Sequence, residues 1–209
     1  MNSIDTQGAA EYLYPVNETV KGKTYREWIV EYWKAYIFKQ TSRNKDPNET
    51  VLLNSDCYVL DVQDDVVFLP SLYAVHKPSY NCTFTTSNSF FFPLYSEECD
   101  YSTLNTRDEL VTCVNEHNDH ASGRLFLNDV EITNLSNYRM TTDFFNITYD
   151  DLNPYNAPAG TYEALVNGLF IFLKPLNKGN YTLKYSVIEE PPSLNHHYRS
   201  EIIYHIKVE

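Results

Sequence analysis

Four active-site signatures are missing from this chain: Gly-x-Ser-x-Gly, His-Glu-x-x-His, Cys-x-x-Cys and the phosphate-binding loop. Their absence leaves the serine-hydrolase elbow, the zincin helix, the dithiol redox motif and P-loop chemistry without support. Basic residues are also short, 16 Lys and Arg against 28 Asp and Glu, for a formal charge of −12. That charge repels phosphate backbones and anionic lipid surfaces, so nucleic-acid and acidic-membrane partners are disfavoured while cationic partners stay open. The acidic residues themselves read as a solvated surface. No stretch is apolar for the length of a membrane span, so no transmembrane segment is expected. Met1 to Val16 lacks the basic residue and apolar run of a signal peptide. There is no internal repeat or low-complexity tract. Only six glycines stand against 18 Tyr and 11 Phe. Rings suit a pleated surface on which Tyr can keep its hydroxyl wet, so this balance favours sheets.

What is abundant is the Asn-x-Ser/Thr triplet, at Asn17, Asn48, Asn81, Asn134, Asn146 and Asn180. Chance occurrence at this composition gives about three. With four cysteines, the excess points to an extracytoplasmic protein, secreted or displayed at the cell surface, whose signal or anchor is absent from this chain. The competing reading is a cytosolic protein rich in Asn. Cys57, Cys82, Cys99 and Cys113 allow three pairings, which sequence alone leaves open. The expectation adopted is Cys57–Cys82, tying the start of a strand to the segment before Phe90, and Cys99–Cys113, pinning a helix to a loop from Tyr95 to Thr103. Each would contribute about 3 kcal/mol by constraining the unfolded chain. Buried free thiols are the alternative.

Two amphipathic helices are expected, at about 24–39 and 106–121. Thr24 and Glu27 form a capping box, followed by Tyr25, Trp28, Ile29, Tyr32, Trp33, Tyr36 and Ile37 on one stripe. Such a stripe reads as core before it reads as a sugar platform. Thr106 and Glu109 repeat the box ahead of Leu110, Cys113, Val114 and His117. Val66 to Leu69, Ser89 to Pro93 and Leu169 to Leu173 are continuous apolar runs, as in strands covered on both faces. Tyr181 to Val187 and Ile202 to Val208 alternate, as in strands with one wet face. Asn128-Asp129 fits a tight hairpin between Leu127 and Val130, and Leu176 to Gly179 reads as another turn. The fold expected is mainly β: an antiparallel β-sandwich, jelly-roll-like or Ig-like, with two packed α-helices. An extended segment over 1–20 would precede a single domain over 21–209.

Several separated segments carry a resemblance: Gly22-Lys23-Thr24-Tyr25-Arg26-Glu27-Trp28 with Trp33; Cys57 and Val66-Val67-Phe68-Leu69; Cys82 and Phe90-Phe91-Phe92-Pro93; Glu109-Leu110; Tyr138-Arg139 with Phe144; and Gly168 followed by Leu173 to Leu183. In this order they resemble a poorly characterised family of exported bacterial and archaeal domains. The family pattern has Asp-Gly where this chain has Asn128-Asp129, and a basic residue where it has Asn81. The resemblance implies export and a sandwich-like architecture, and no chemistry.

Chemical candidates are few. His117 and His120, with Glu116 and Asp119, have helical spacing compatible with part of a metal site, but a core histidine and a helix-end cation explain them as well. His196-His197 follows Pro191-Pro192 in a loop, where extended neighbours point apart. Asp64-Asp65 and Asp150-Asp151 lack the spacing of a calcium loop and read as turn carboxylates. Arg139 is expected to pair with a carboxylate. No catalytic residue, metal or cofactor is assigned. The function expected is a non-enzymatic binding or structural module for an unknown protein or glycan; the alternative is an extracytoplasmic hydrolase, metal-dependent or not, using loop carboxylates and histidines.

Overall fold

The computed structural model describes residues 11–45, 56–72, 77–190 and 198–209, in which two helices and eleven strands form. Helix α1 spans Tyr25–Lys45 and α2 spans Arg107–Asn118. Both begin at the expected boxes: Thr24 N–H donates to Glu27 Oε2 at 2.7 Å, and Thr106 N–H to Glu109 Oε2 at 3.0 Å. The first helix runs two turns past its expected end, because Gln40 and Thr41 are buried and extend its covered face beyond the aromatic stripe.

One sheet holds six strands: β1 (Asp61–Gln63), β2 (Val66–Phe68), β4 (Ser89–Asp100), β9 (Gly160–Leu173) and β7 (Arg139–Thr141) in that order, with β8 (Phe145–Tyr149) also on β9. The other orders β3 (Ser79–Phe84), β11 (Tyr198–Val208), β10 (Gly179–Glu189), β5 (Ala121–Leu127) and β6 (Val130–Ile132). The expectation of purely antiparallel sheet is corrected. β2 pairs with β4, and β3 with β11, in parallel. In each case the partners are joined by a long excursion rather than a tight turn, so chain direction is free to match.

Alternation explains the continuous apolar runs. In β4, Phe91 meets Tyr25 and Tyr32 of α1, while Phe92 points the other way and meets Tyr185 of β10 at 4.6 Å between ring centroids. In β9, Phe170 and Phe172 likewise face α1. Strand β4 thus meets α1 on one side and β10 on the other, and both of its faces need apolar residues. Gly123 of β5 lies where a Cβ would come within 2.8 Å of Leu94, so the sheets approach closely there. Several buried rings satisfy their polar ends: Tyr25 donates to Phe170 O, Tyr204 to Tyr58 O and Tyr185 to Pro70 O.

Asn128 and Asp129 take positive φ of 50° and 64° in the β5–β6 hairpin, and Asp64 and Asp65 do the same between β1 and β2. The segment Leu176 to Gly179 joins β9 to β10 and so crosses between sheets. In the stretch preceding α1, Leu13 is fully buried and bridges Leu173. Cysteines 57 and 82 are bonded, as are 99 and 113. Cys99 lies in strand β4 and not in a loop, because β4 continues past Pro93 through an irregularity between Pro93 and Tyr95. The second bridge therefore staples α2 to the sheet, beside Leu110, Val114 and Leu165.

Candidate functional site

The extension of β4 beyond Pro93 brings acidic side chains to the aromatic stripe of α1. Tyr32, Trp33 and Tyr36 of the helix, Ser96, Glu97 and Glu98 of β4, Ser71 after β2, Glu189 ending β10 and Tyr155 between β8 and β9 enclose a cleft of about 280 Å³. The stripe therefore divides. Tyr25 and Trp28 pack into the core, whereas Tyr32, Trp33 and Tyr36 line the cleft, the last two in edge contact at 5.3 Å.

Three residues lining this cleft have a polar atom withdrawn from solvent with no hydrogen-bond partner: Tyr32 at its hydroxyl, Trp33 at Nε1, a donor, and Glu98 at Oε1, an acceptor. Glu98 and Asp100 stand two apart on β4 and so share a face. The Tyr149 hydroxyl lies between them, 2.5 Å from Asp100 Oδ2 and 3.2 Å from Glu98 Oε2. Burial and both carboxyls push that hydroxyl up, so it stays protonated. The hydroxyl donates toward both carboxyls with one proton, so the farther Glu98 receives the weaker bond. Burial first, and the Asp100 charge second, push the Glu98 carboxyl up to about 8. Asp100 does not line the cleft; it also accepts from Ser102 N–H. Burial also raises Glu189.

The residues singled out in the sequence lie elsewhere. Asn17, Asn81, Asn134, Asn146 and Asn180 are all exposed, as a glycan acceptor must be, while Asn48 lies outside the described residues. His196-His197 and the His117 side chain also lie outside them. His120 is exposed just after α2. Asp64-Asp65 forms a turn, with Asp65 paired to Lys21, and Asp150 pairs with Lys45. Arg139 donates to Asp119 at 2.7 Å, the carboxylate partner expected of it. Among the described residues, no three His, Cys, Asp or Glu converge as metal ligands. Sequence reasoning passed over Glu97, Glu98, Glu189 and Tyr155. The signal for two of them was Ser96-Glu97-Glu98-Cys99-Asp100, carboxylates continuing an apolar strand up to a cysteine.

No protein-family model and no curated protein matches the sequence. Among solved structures, similarity is found to the cysteine protease inhibitor EhICP2 from Entamoeba histolytica, at 8% identity and TM-score 0.26, covering 69% of this chain and 95% of that one. PbICP-C, solved in complex with falcipain-2, aligns at 11% identity and TM-score 0.24, over 71% of this chain and 95% of its own. Amebosin aligns at 7% identity and TM-score 0.20, over 62% and 89%. At these scores neither fold nor function carries over. Among the described residues no helix is long and apolar enough to cross a membrane.

Proposed function

We propose that this chain is an extracytoplasmic, disulfide-stapled binding module, built as a two-sheet sandwich, that takes its ligand in the cleft between α1 and β4 without transforming it. One observation carries the reading: two buried polar atoms of opposite kind, Trp33 Nε1 and Glu98 Oε1, go unpartnered in an aromatic-lined cleft. Burying such groups unpaired costs about 1–3 kcal/mol each, a cost a ligand can relieve. Two disulfides and five exposed sequon asparagines support the compartment. The ligand sought is a protein or a glycan, and membership of the exported family that the sequence resembles belongs to the same reading.

The test is a thermal-shift panel of glycans and peptides on protein produced through a secretory pathway, since a ligand preferring the native state raises Tm. A shift abolished by Trp33→Phe or Tyr36→Ala is expected; no shift from any member of the panel overturns the binding assignment. Treatment with a peptide-N-glycosidase checks the sequons, and an unchanged intact mass removes the glycoprotein reading. A hydrolase reading draws on one feature, the Glu98 carboxyl held protonated to about 8 as a general acid must be. Turnover of a glycoside or ester panel, lost in Glu98→Gln, would favour it.

A further inference from the structure

Phe38 is 74% exposed, the most of any large apolar side chain among the described residues, although its neighbour Ile37 is buried. An exposed ring standing alone calls for no explanation. This one borders a groove. Phe38, Thr41 and Lys45 recur at i, i+3 and i+7 on α1 and make one wall; Asn146 and Thr148 of β8, with Asp150 just after it, make the other. The space between them is about 240 Å³, and Ile37 and Ile147, buried in one apolar cluster, also line it. The walls are tied at one end, where Lys45 pairs with Asp150 and Asn44 Nδ2 donates to Leu152 O at 2.7 Å. The groove is thus preformed.

Asn146-Ile147-Thr148 is a sequon. Neighbours alternate in a strand, so Ile147 points inward, 1% exposed, while Asn146 and Thr148 face out. A sugar on Asn146 Nδ2 therefore starts in the groove. The other sequons differ. Asn81 and Asn180 line an opening across β11, beside His205 and Lys207, where none of the exposed large apolar side chains lies. Asn17 and Asn134 border neither of these openings, nor the cleft, nor the opening between Val16 and Met140. Resting on the extracytoplasmic reading above, we propose that Asn146 carries an N-linked glycan whose first sugar is seated in this groove, its face of C–H groups against Phe38. Attachment forms a bond from Asn146 Nδ2 to C1 of the sugar and breaks the C1–O bond to a lipid-diphosphate oligosaccharide donor; the diphosphate keeps the electron pair and the amide gives up one proton. A pyranose has an apolar face suited to an aromatic ring, and its rim of hydroxyls is matched by those of Thr41 and Ser42 in the groove. Because the sugar is tethered, its association entropy is already spent and a weak contact suffices.

The experiment uses the full chain, disulfides intact, secreted from a eukaryotic host whose N-linked glycans begin with N-acetylglucosamine. Peptide mass spectrometry reads occupancy at each sequon, and thermal melting compares wild type, Asn146→Gln, Phe38→Ser and the double variant. Asn146→Gln should lower Tm by about 2–4 °C when Phe38 is present, as loss of a contact the size of an aromatic pair would, and by less than about 1 °C in the Phe38→Ser background. In protein made in a bacterial periplasm that attaches no glycan, Asn146→Gln should leave Tm within about 1 °C, which separates the sugar from the amide. Trimming to the first sugar with an endoglycosidase should preserve Tm; a loss on trimming would place the contact in outer sugars and overturn the seat. Asn180→Gln should act equally in both Phe38 backgrounds. An occupied Asn146 whose removal costs the same with and without Phe38 would overturn the seat and leave the glycoprotein reading standing, as would an empty Asn146 beside other occupied sequons. A chain bare at every sequon would remove both.

Discussion

Glu98→Gln should make the protein relatively more stable as pH rises. The carboxyl titrates near 4.5 when the chain is unfolded and is pushed up to about 8 by burial and by Asp100 in the native state. Between those values the unfolded chain has released a proton that the folded chain still holds, so stability falls with rising pH. The contribution is complete below pH 4.5 and lost by about pH 8. At 1.36 kcal/mol per unit, the 3.5-unit interval corresponds to a ceiling of about 5 kcal/mol. Glutamine keeps the shape and removes the titration, and Tyr149 continues to donate to Asp100. Glu27, Glu109 and Glu163, lowered by their hydrogen-bond partners, lose their contributions below pH 4.5 and do so in both proteins. Glu189 is raised in both as well. The difference between wild type and variant therefore isolates Glu98. Urea unfolding at pH 4.5, 6.5 and 8.5, with disulfides intact, reads it directly. The wild type should lose between about 2 and 5 kcal/mol relative to the variant across this range. Two curves parallel to within about 0.5 kcal/mol would refute the buried, proton-holding carboxyl on which the cleft's chemistry rests.

Reducing either disulfide alone, as Cys57→Ser with Cys82→Ser or Cys99→Ser with Cys113→Ser, should cost about 3 kcal/mol in urea unfolding. Gly168→Ala places a Cβ 2.5 Å from Tyr95 O and Ser96 Cβ, too close for β9 and β4 to remain paired undisturbed. A loss of about 1–3 kcal/mol is expected by thermal melting, and an unchanged Tm would mean that the strands part freely. Asp129→Gly should add up to about 1 kcal/mol, since residue 129 sits at φ 64° in a two-residue hairpin, where relief of the left-handed cost of a Cβ outweighs glycine's greater freedom in the unfolded chain. A fall in Cm would show that the Asp side chain has a role beyond the turn.

Local chemistry was legible wherever it is self-contained. Both capping boxes, the Asn128-Asp129 hairpin and the inward sets of β10 and β11 depend on spacings of two to four residues, which a sequence displays directly. The aromatic stripe of α1 was legible as an amphipathic face, but its division into core rings and cleft rings was not, because that depends on how far β4 runs. Pro93 suggested a strand end. The pairing of β4 with β9 continues past it through an irregularity, carrying Glu97, Glu98 and Asp100 into the sheet. Glu189 and Tyr155 reach the cleft from segments far apart in the chain, and no periodicity records such a meeting.

By itself, the order of residues determined the element types, the tight turns and the need for a core rich in rings, since those follow from the backbone and the nearest few side chains. The tertiary structure alone decided the parallel strand pairs, which cysteines meet, and the gathering of three glutamates against aromatic rings. Strand direction and long-range contact are settled by packing between distant segments, where a single carboxyl's surroundings, rather than its identity, fix whether it holds its proton.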